Sequence, residues 1–103
     1  MEERRVVFSF GILYETPLEK VRAVPEMVQR VVEDTKGTRF DRAHFKGFGD
    51  SSLDFEVVYY MLDGDYTQYM DAQQAINLSV MEQFAAQGID FAYPTRTVYT
   101  KAQ

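Results

Sequence analysis

Cysteine and tryptophan are absent from the 103 residues, histidine occurs once and proline three times. Without cysteine there is neither a disulfide framework nor a thiolate metal site, and redox chemistry puts no constraint on the compartment. Positive charge is short as well: 11 Lys and Arg stand against 16 Asp and Glu, a net charge of about −5. That leaves no excess to neutralise phosphates or anionic lipid, so nucleic acid is not an expected partner. Arg4 and Arg5 read as a solvated start to a strand rather than a membrane-surface anchor. The longest apolar runs are a few residues, against roughly 20 needed to cross a bilayer. The start Met1-Glu2-Glu3-Arg4-Arg5 also lacks the apolar core of a signal peptide. The expectation is a piece that does not itself enter the membrane.

What is present suits one domain with its own core: 46% of the residues are hydrophobic and 15% aromatic, with both charge signs interspersed and no Pro/Gly/Ser-rich linker. Over residues 4–14, Val6, Phe8, Phe10, Ile12 and Tyr14 recur with a period of two, which predicts a first strand with one buried face. Thr16-Pro17-x-Glu19 then gives the signals of a helix start: a capping hydroxyl, proline in the first turn and a glutamate to close a capping box. Leu18, Val21, Val24, Val28 and Val31 form one stripe along a helix to about Asp34. Pro25, which removes a backbone hydrogen bond, predicts a kink or a restart. Lys36-Gly37 ends the helix.

Residues 40–47 predict a second strand, and Leu53, Phe55, Val57, Tyr59 and Met61 a third, the two forming a hairpin. Asp65, with Gln68 three residues on, caps a second helix that closes at Gly88. At 100° per residue, Tyr69, Ala72, Ile76, Val80 and Phe84 share its core-facing stripe. Leu78, Met81 and Ala85 make a second line, open to two readings: a partner surface, or scattered exposed apolar residues. Ile89, Phe91 and Tyr93 predict a fourth strand, and Thr95 begins a further β-prone stretch after Pro94. The order βαββαβ implies an α+β fold: a ferredoxin-like sandwich of a four-stranded antiparallel sheet with both helices on one face, over residues 4–93, plus a tail at 94–103.

Chemistry finds little support. A triad can be written from Ser51 or Ser52, His44 and Asp50, but no nucleophile-elbow context accompanies it. Gly47-x-Gly49 leads into a strand and cannot cradle a pyrophosphate at a helix start. Asp63-x-Asp65 opens like a calcium loop, yet Gln68 and Gln74 stand where glycine and glutamate are needed. The face carrying Asp54, Glu56, Val58 and Tyr60 is either wet or an interface. Neither enzyme nor cofactor nor metal is expected.

Gly47-Phe48-Gly49-Asp50-Ser51-Ser52-Leu53-Asp54-Phe55-Glu56 resembles the G-F-G-D-S-S-L-(N/D)-F-E signature of the C-terminal domain of the small-conductance mechanosensitive (MscS) channel family. Tyr14-Glu15-Thr16-Pro17-Leu18-Glu19-Lys20-Val21 is similar to that family's Y-(D/E)-T-x-L-E-K-V. Gly88-Ile89-Asp90 leading to Pro94-Thr95-Arg96-Thr97-Val98 is similar to its ending. Pro25 and the run Val57-Val58-Tyr59-Tyr60 depart from the usual pattern.

The resemblance implies a non-enzymatic vestibule and assembly domain on the cytoplasmic face of the cell membrane. It further implies a homo-oligomer, heptameric in the parent channel, that filters solutes. It implies that the pore lies in a longer parent protein, and that residues 95–100 give one strand of an intersubunit barrel. Intersubunit contacts are expected at Leu78, Met81, Ala85, Pro94, Arg96, Thr97, Val98 and Tyr99. The alternative is a free-standing ferredoxin-like regulatory domain that binds a small effector at a dimer interface.

Overall fold

The computed structural model describes residues 3–62 and 64–92. Its elements are β1 (Arg4–Ile12), α1 (Leu18–Glu33), β2 (Thr38–Phe48), β3 (Leu53–Met61) and α2 (Tyr66–Gln87). The strands form an antiparallel sheet in the order β1-β3-β2, with β3 central and β1 and β2 on opposite edges.

The period of two works as expected on β1 and β3. Phe8 pairs with Val57, Phe10 with Phe55 and Ile12 with Leu53, and these side chains join one core with both helices. β2 does not alternate simply. Its register slips between Phe40 and Arg42 and again between Phe45 and Gly47. Each bulge inserts one residue, so Phe40, Ala43, Phe45 and Phe48 all reach the helix side of the sheet.

Helix α1 buries Val21, Val24, Val28, Val31 and Val32. It runs unbroken through Pro25, which sits on the second turn, so neither a restart nor an interruption occurs. The expected threonine cap is corrected: Pro17 is the N-cap, with no side-chain cap bond. The Thr16 hydroxyl donates instead to the Leu13 carbonyl, closing the preceding turn. Leu18 begins the helix but stays exposed, because at the first position it projects past the end of the sheet.

Helix α2 follows its signals closely. The Asp65 carboxylate accepts from the Gln68 amide at 3.0 Å, and Gly88 closes the helix at φ 72°, a left-handed conformation that glycine adopts without strain. Ala72, Ile76, Val80 and Phe84 are buried and Tyr69 packs against them.

The expected fourth strand is reduced, among the described residues, to a single antiparallel bridge between Ile12 and Phe91. Two backbone bonds flank it, from the Leu13 amide to the Asp90 carbonyl and from the Ala92 amide to the Gly11 carbonyl. Tyr93 and the predicted tail contacts Pro94, Arg96, Thr97, Val98 and Tyr99 lie outside the described residues. No helix among the described residues is long and apolar enough to cross a membrane.

Candidate functional site

The turn from β2 to β3 is built around one small polar pair. The Gly49 amide donates to the Ser52 carbonyl at 2.7 Å, and the Ser52 hydroxyl donates to Asp54 Oδ1 at 2.5 Å. Glycines close in on both sides. A Cβ on Gly49 would lie 2.7 Å from Asp54 Oδ2 and 2.8 Å from Ser52 Oγ, and one on Gly11 would lie 2.8 Å from Ser52 Cβ. A side chain at either position would therefore need Ser52 or Asp54 to shift, and neither glycine lies at a left-handed backbone angle. Gly49→Ala is expected to destabilise the domain by about 1–3 kcal/mol through overpacking. Urea midpoints check this: the double variant with Asp54→Ala should lose less than the sum of the single variants, because the clashing carboxylate is gone.

This turn also carries aromatic rings outward. The Tyr14 hydroxyl, from the loop after β1, donates to the Gly49 carbonyl. The Tyr14 ring stacks on Phe48 with centroids 6.4 Å apart, and Phe45 meets Phe48 edge-on at 5.2 Å. From there rings run back into the core: Phe45 stacks on Phe55, and Phe55 on Phe10. Phe48 ends this series with 75% of its surface exposed.

At the opposite edge, β1 and α2 enclose a second apolar feature. Phe8, Phe10, Asn77, Val80, Met81 and Phe91 line an open cavity of about 410 Å³. Phe10 meets Phe84 and Phe91 edge-on, and Phe84 stacks on Phe91. Met81 is 56% exposed and Leu78 58%, with Ala85 also exposed. The second apolar line, on the side of α2 away from its core stripe, is thus open to solvent in the single chain.

A polar relay fixes α2 to the sheet beside this cavity. The buried Tyr59 hydroxyl donates to Gln73 Oε1 at 2.8 Å, and Gln73 Nε2 donates to Asn77 Oδ1 at 2.9 Å. Burial, with a smaller contribution from Tyr69, pushes the Tyr59 phenol up to about 12, because the anion would lose its hydration.

The helix-free face of the sheet is mixed in charge. Arg39 lies over the Tyr60 ring at 4.4 Å and pairs with Glu3, and the bond to Glu3 chiefly raises its pKa. Arg42 pairs with Asp41, and Lys46 lies 3.8 Å from Glu56. Val58 on this face is fully buried, between its ladder partners Val7 and Arg42.

His44 is exposed and stands opposite Glu56 across the ladder. The Ser52 hydroxyl is engaged by Asp54, so the serine, histidine and aspartate of the written triad are not brought together by any bond described. No group of three His, Cys, Asp or Glu side chains among the described residues is placed to hold a metal ion.

Comparison with known proteins places this geometry. A family model described as "Mechanosensitive ion channel MscS, C-terminal" matches residues 6–91. The chain belongs to the MscS channel family, as its C-terminal domain. It is 37% identical over 99 residues to the small-conductance mechanosensitive channel MscMJ of Methanocaldococcus jannaschii, a match that covers 95% of this chain and 28% of that protein. The chain therefore spans under a third of the length of such MscS relatives. In fold it is similar to Arabidopsis thaliana MSL1, with a TM-score of 0.78 at 7% identity over 91% of this chain and 35% of the other. It is also similar to Helicobacter pylori MscS in its closed state, with a TM-score of 0.61 at 20% identity over 100% of this chain and 40% of the other.

Within this MscS domain the signature residues Gly47 and Phe48 end β2, and Gly49, Asp50, Ser51 and Ser52 make the turn into β3. Leu78, Met81 and Ala85 lie at the other edge of the fold, on α2. Two contributors to the turn were missed from sequence: Gly11 and the Tyr14 hydroxyl. A glycine interrupting an otherwise apolar strand was the available signal for the first. The second carried none, since its partner is a backbone carbonyl 35 positions away.

Proposed function

We propose that this chain is a wall and assembly element of the cytoplasmic vestibule of a mechanosensitive channel, joining copies of itself below a pore formed elsewhere in the parent protein. The match to the MscS C-terminal domain over residues 6–91 carries this reading. Membership of that family supports placing the domain on the cytoplasmic face of the membrane, in a heptameric parent, with a part in filtering solutes. The domain itself spans residues 4–93 and is ferredoxin-like, with 89–93 as a fourth strand on the β1 edge. The bridge from Ile12 to Phe91 and its two flanking backbone bonds support that placement. Residues 94–103 act as a separate tail, with Pro94, Arg96, Thr97, Val98 and Tyr99 contributing to an intersubunit barrel.

The exposed line of Leu78, Met81 and Ala85 supports self-association along α2, since contiguous apolar surface of this kind marks interaction sites. Charge placed there should oppose it. Leu78→Asp combined with Met81→Asp is expected to weaken self-association by about tenfold or more, as truncating anchor residues does. Removing residues 94–103 should weaken it further. Light scattering across a concentration series reads both effects. A mass that neither change alters would remove these surfaces from the assembly.

A further inference from the structure

We propose that Pro94 ends the fourth strand by withholding one hydrogen bond from Ser9, and so keeps residues 95–103 off the β1 edge of their own chain. The inference rests on the reading of 89–93 as a fourth strand and gives the reason the tail parts from it.

Three contacts set the register. Ile12 and Phe91 are bridge partners, the Leu13 amide donates to the Asp90 carbonyl, and the Ala92 amide donates to the Gly11 carbonyl. In an antiparallel ladder bonded and non-bonded pairs alternate. Leu13 with Asp90 and Gly11 with Ala92 are bonded pairs, and Ile12 with Phe91 is the non-bonded pair between them. Continued along β1, the register sets position 93 against Phe10 in a non-bonded pair and position 94 against Ser9 in the next bonded one. There the ladder needs an N–H that donates to the Ser9 carbonyl. Residue 94 is proline, which has none.

Parity decides the effect. A proline one position earlier or later would turn its missing N–H away from β1 and cost the ladder nothing. At position 94 the missing donor faces the ladder and leaves the Ser9 carbonyl without its rung. The edge beyond is otherwise open to a strand. Ser9, Val7 and Arg5 share the outward side with Gly11 and Leu13, and among the described residues nothing bonds their backbone groups from that side. Val7 is also 44% exposed. The sequence after the proline, Thr95-Arg96-Thr97-Val98-Tyr99-Thr100, is rich in the residues that strands favour. In the same register it would set Arg96 against Val7 and Val98 against Arg5. It is tethered to the edge it would join, so a short closure would suffice. Proline is one of the devices that blunt strand edges; here it stands on the incoming strand. A tail zipped onto its own β1 would be lost to contacts with other copies.

Hydrogen exchange of single backbone amides, read by NMR on the full chain in dilute solution, tests this. In Pro94→Thr the ladder regains its donor, and exchange at the Val7 amide is expected to slow by about tenfold or more. The Leu13 amide, already bonded to Asp90, should be slow in both proteins. Pro94→Thr combined with Thr95→Pro keeps a proline in the tail but turns its missing N–H to solvent, so Val7 should stay slow. The proposal is overturned, with the fourth strand still standing, if Leu13 is protected while Val7 exchanges equally fast with and without Pro94→Thr. The same holds if adding Thr95→Pro restores fast exchange at Val7. A Val7 amide already slow in the unchanged chain overturns both the proposal and the separate tail. A Leu13 amide that exchanges as freely as in an unfolded chain overturns the fourth strand and the proposal with it.

Discussion

Phe55→Ala is expected to cost about 3–5 kcal/mol, the range for emptying a buried aromatic site. Phe55 is 1% exposed near the start of β3 and stacks on Phe10 of β1 at 5.4 Å and on Phe45 of β2 at 5.3 Å. Its ring is thus the one that joins all three strands. Against a total stability of about 5–15 kcal/mol for a domain of this kind, the loss is a large fraction of the whole. Urea unfolding should show a lower midpoint with little change in slope. Because Phe45 also positions Phe48, the loss should spread to the turn, and the Tyr14 environment should become more mobile in the folded protein. A destabilisation below about 1 kcal/mol would mean that the site collapses around alanine and that the stacked rings add little.

The second large effect lies at alkaline pH and belongs to Tyr59. Its folded-state pKa is raised to about 12 by burial, against about 10 in an unfolded chain. Between these values the unfolded state gives up the proton while the folded state keeps it. The contribution to stability is therefore complete below pH 10 and lost as the pH rises through 10 to 12. Two pKa units set an upper bound of roughly 2–3 kcal/mol on this contribution, reduced by whatever water still reaches the phenol. Tyr59→Phe should remove this part of the alkaline loss while costing about 1 kcal/mol at neutral pH through the bond to Gln73. The measurement is the difference between the two proteins' urea midpoints from pH 7 to 11.5, which cancels every effect the two share. A parallel decline in the two would place the Tyr59 phenol within reach of water.

How far the fold was legible follows from where each signal originates. The stripes on β1, β3 and α2 depend on a single period and a single buried face, so Phe8, Phe55 and Ile76 could be placed from spacing alone. The caps at Asp65 and Gly88 are local too. β2 was harder, because its two bulges answer to the register of β3 and not to any turn residue of its own; Asp41 and Lys46 look like ordinary strand residues. Thr16 failed as a cap since its hydroxyl had a nearer carbonyl at Leu13. Val58 stands on the polar side of β3 yet is fully buried, which the alternation alone does not signal. The signature turn could be recognised from its motif, but its interior could not: the Ser52 to Asp54 bond is local, whereas Gly11 reaches it only after the sheet has formed.

That last placement has a consequence for how the sequence can change. Gly11 and Gly49 are 38 positions apart along the chain, yet each is denied a side chain by the same two residues, Ser52 and Asp54. They behave as the two jaws of a vice closed on one object. A chain that shortened the object would free both jaws together, whereas any change to one jaw alone is judged against the unchanged pair. Substitutions at these four sites are therefore expected to be coupled: Ser52 and Asp54 bear on what positions 11 and 49 can become.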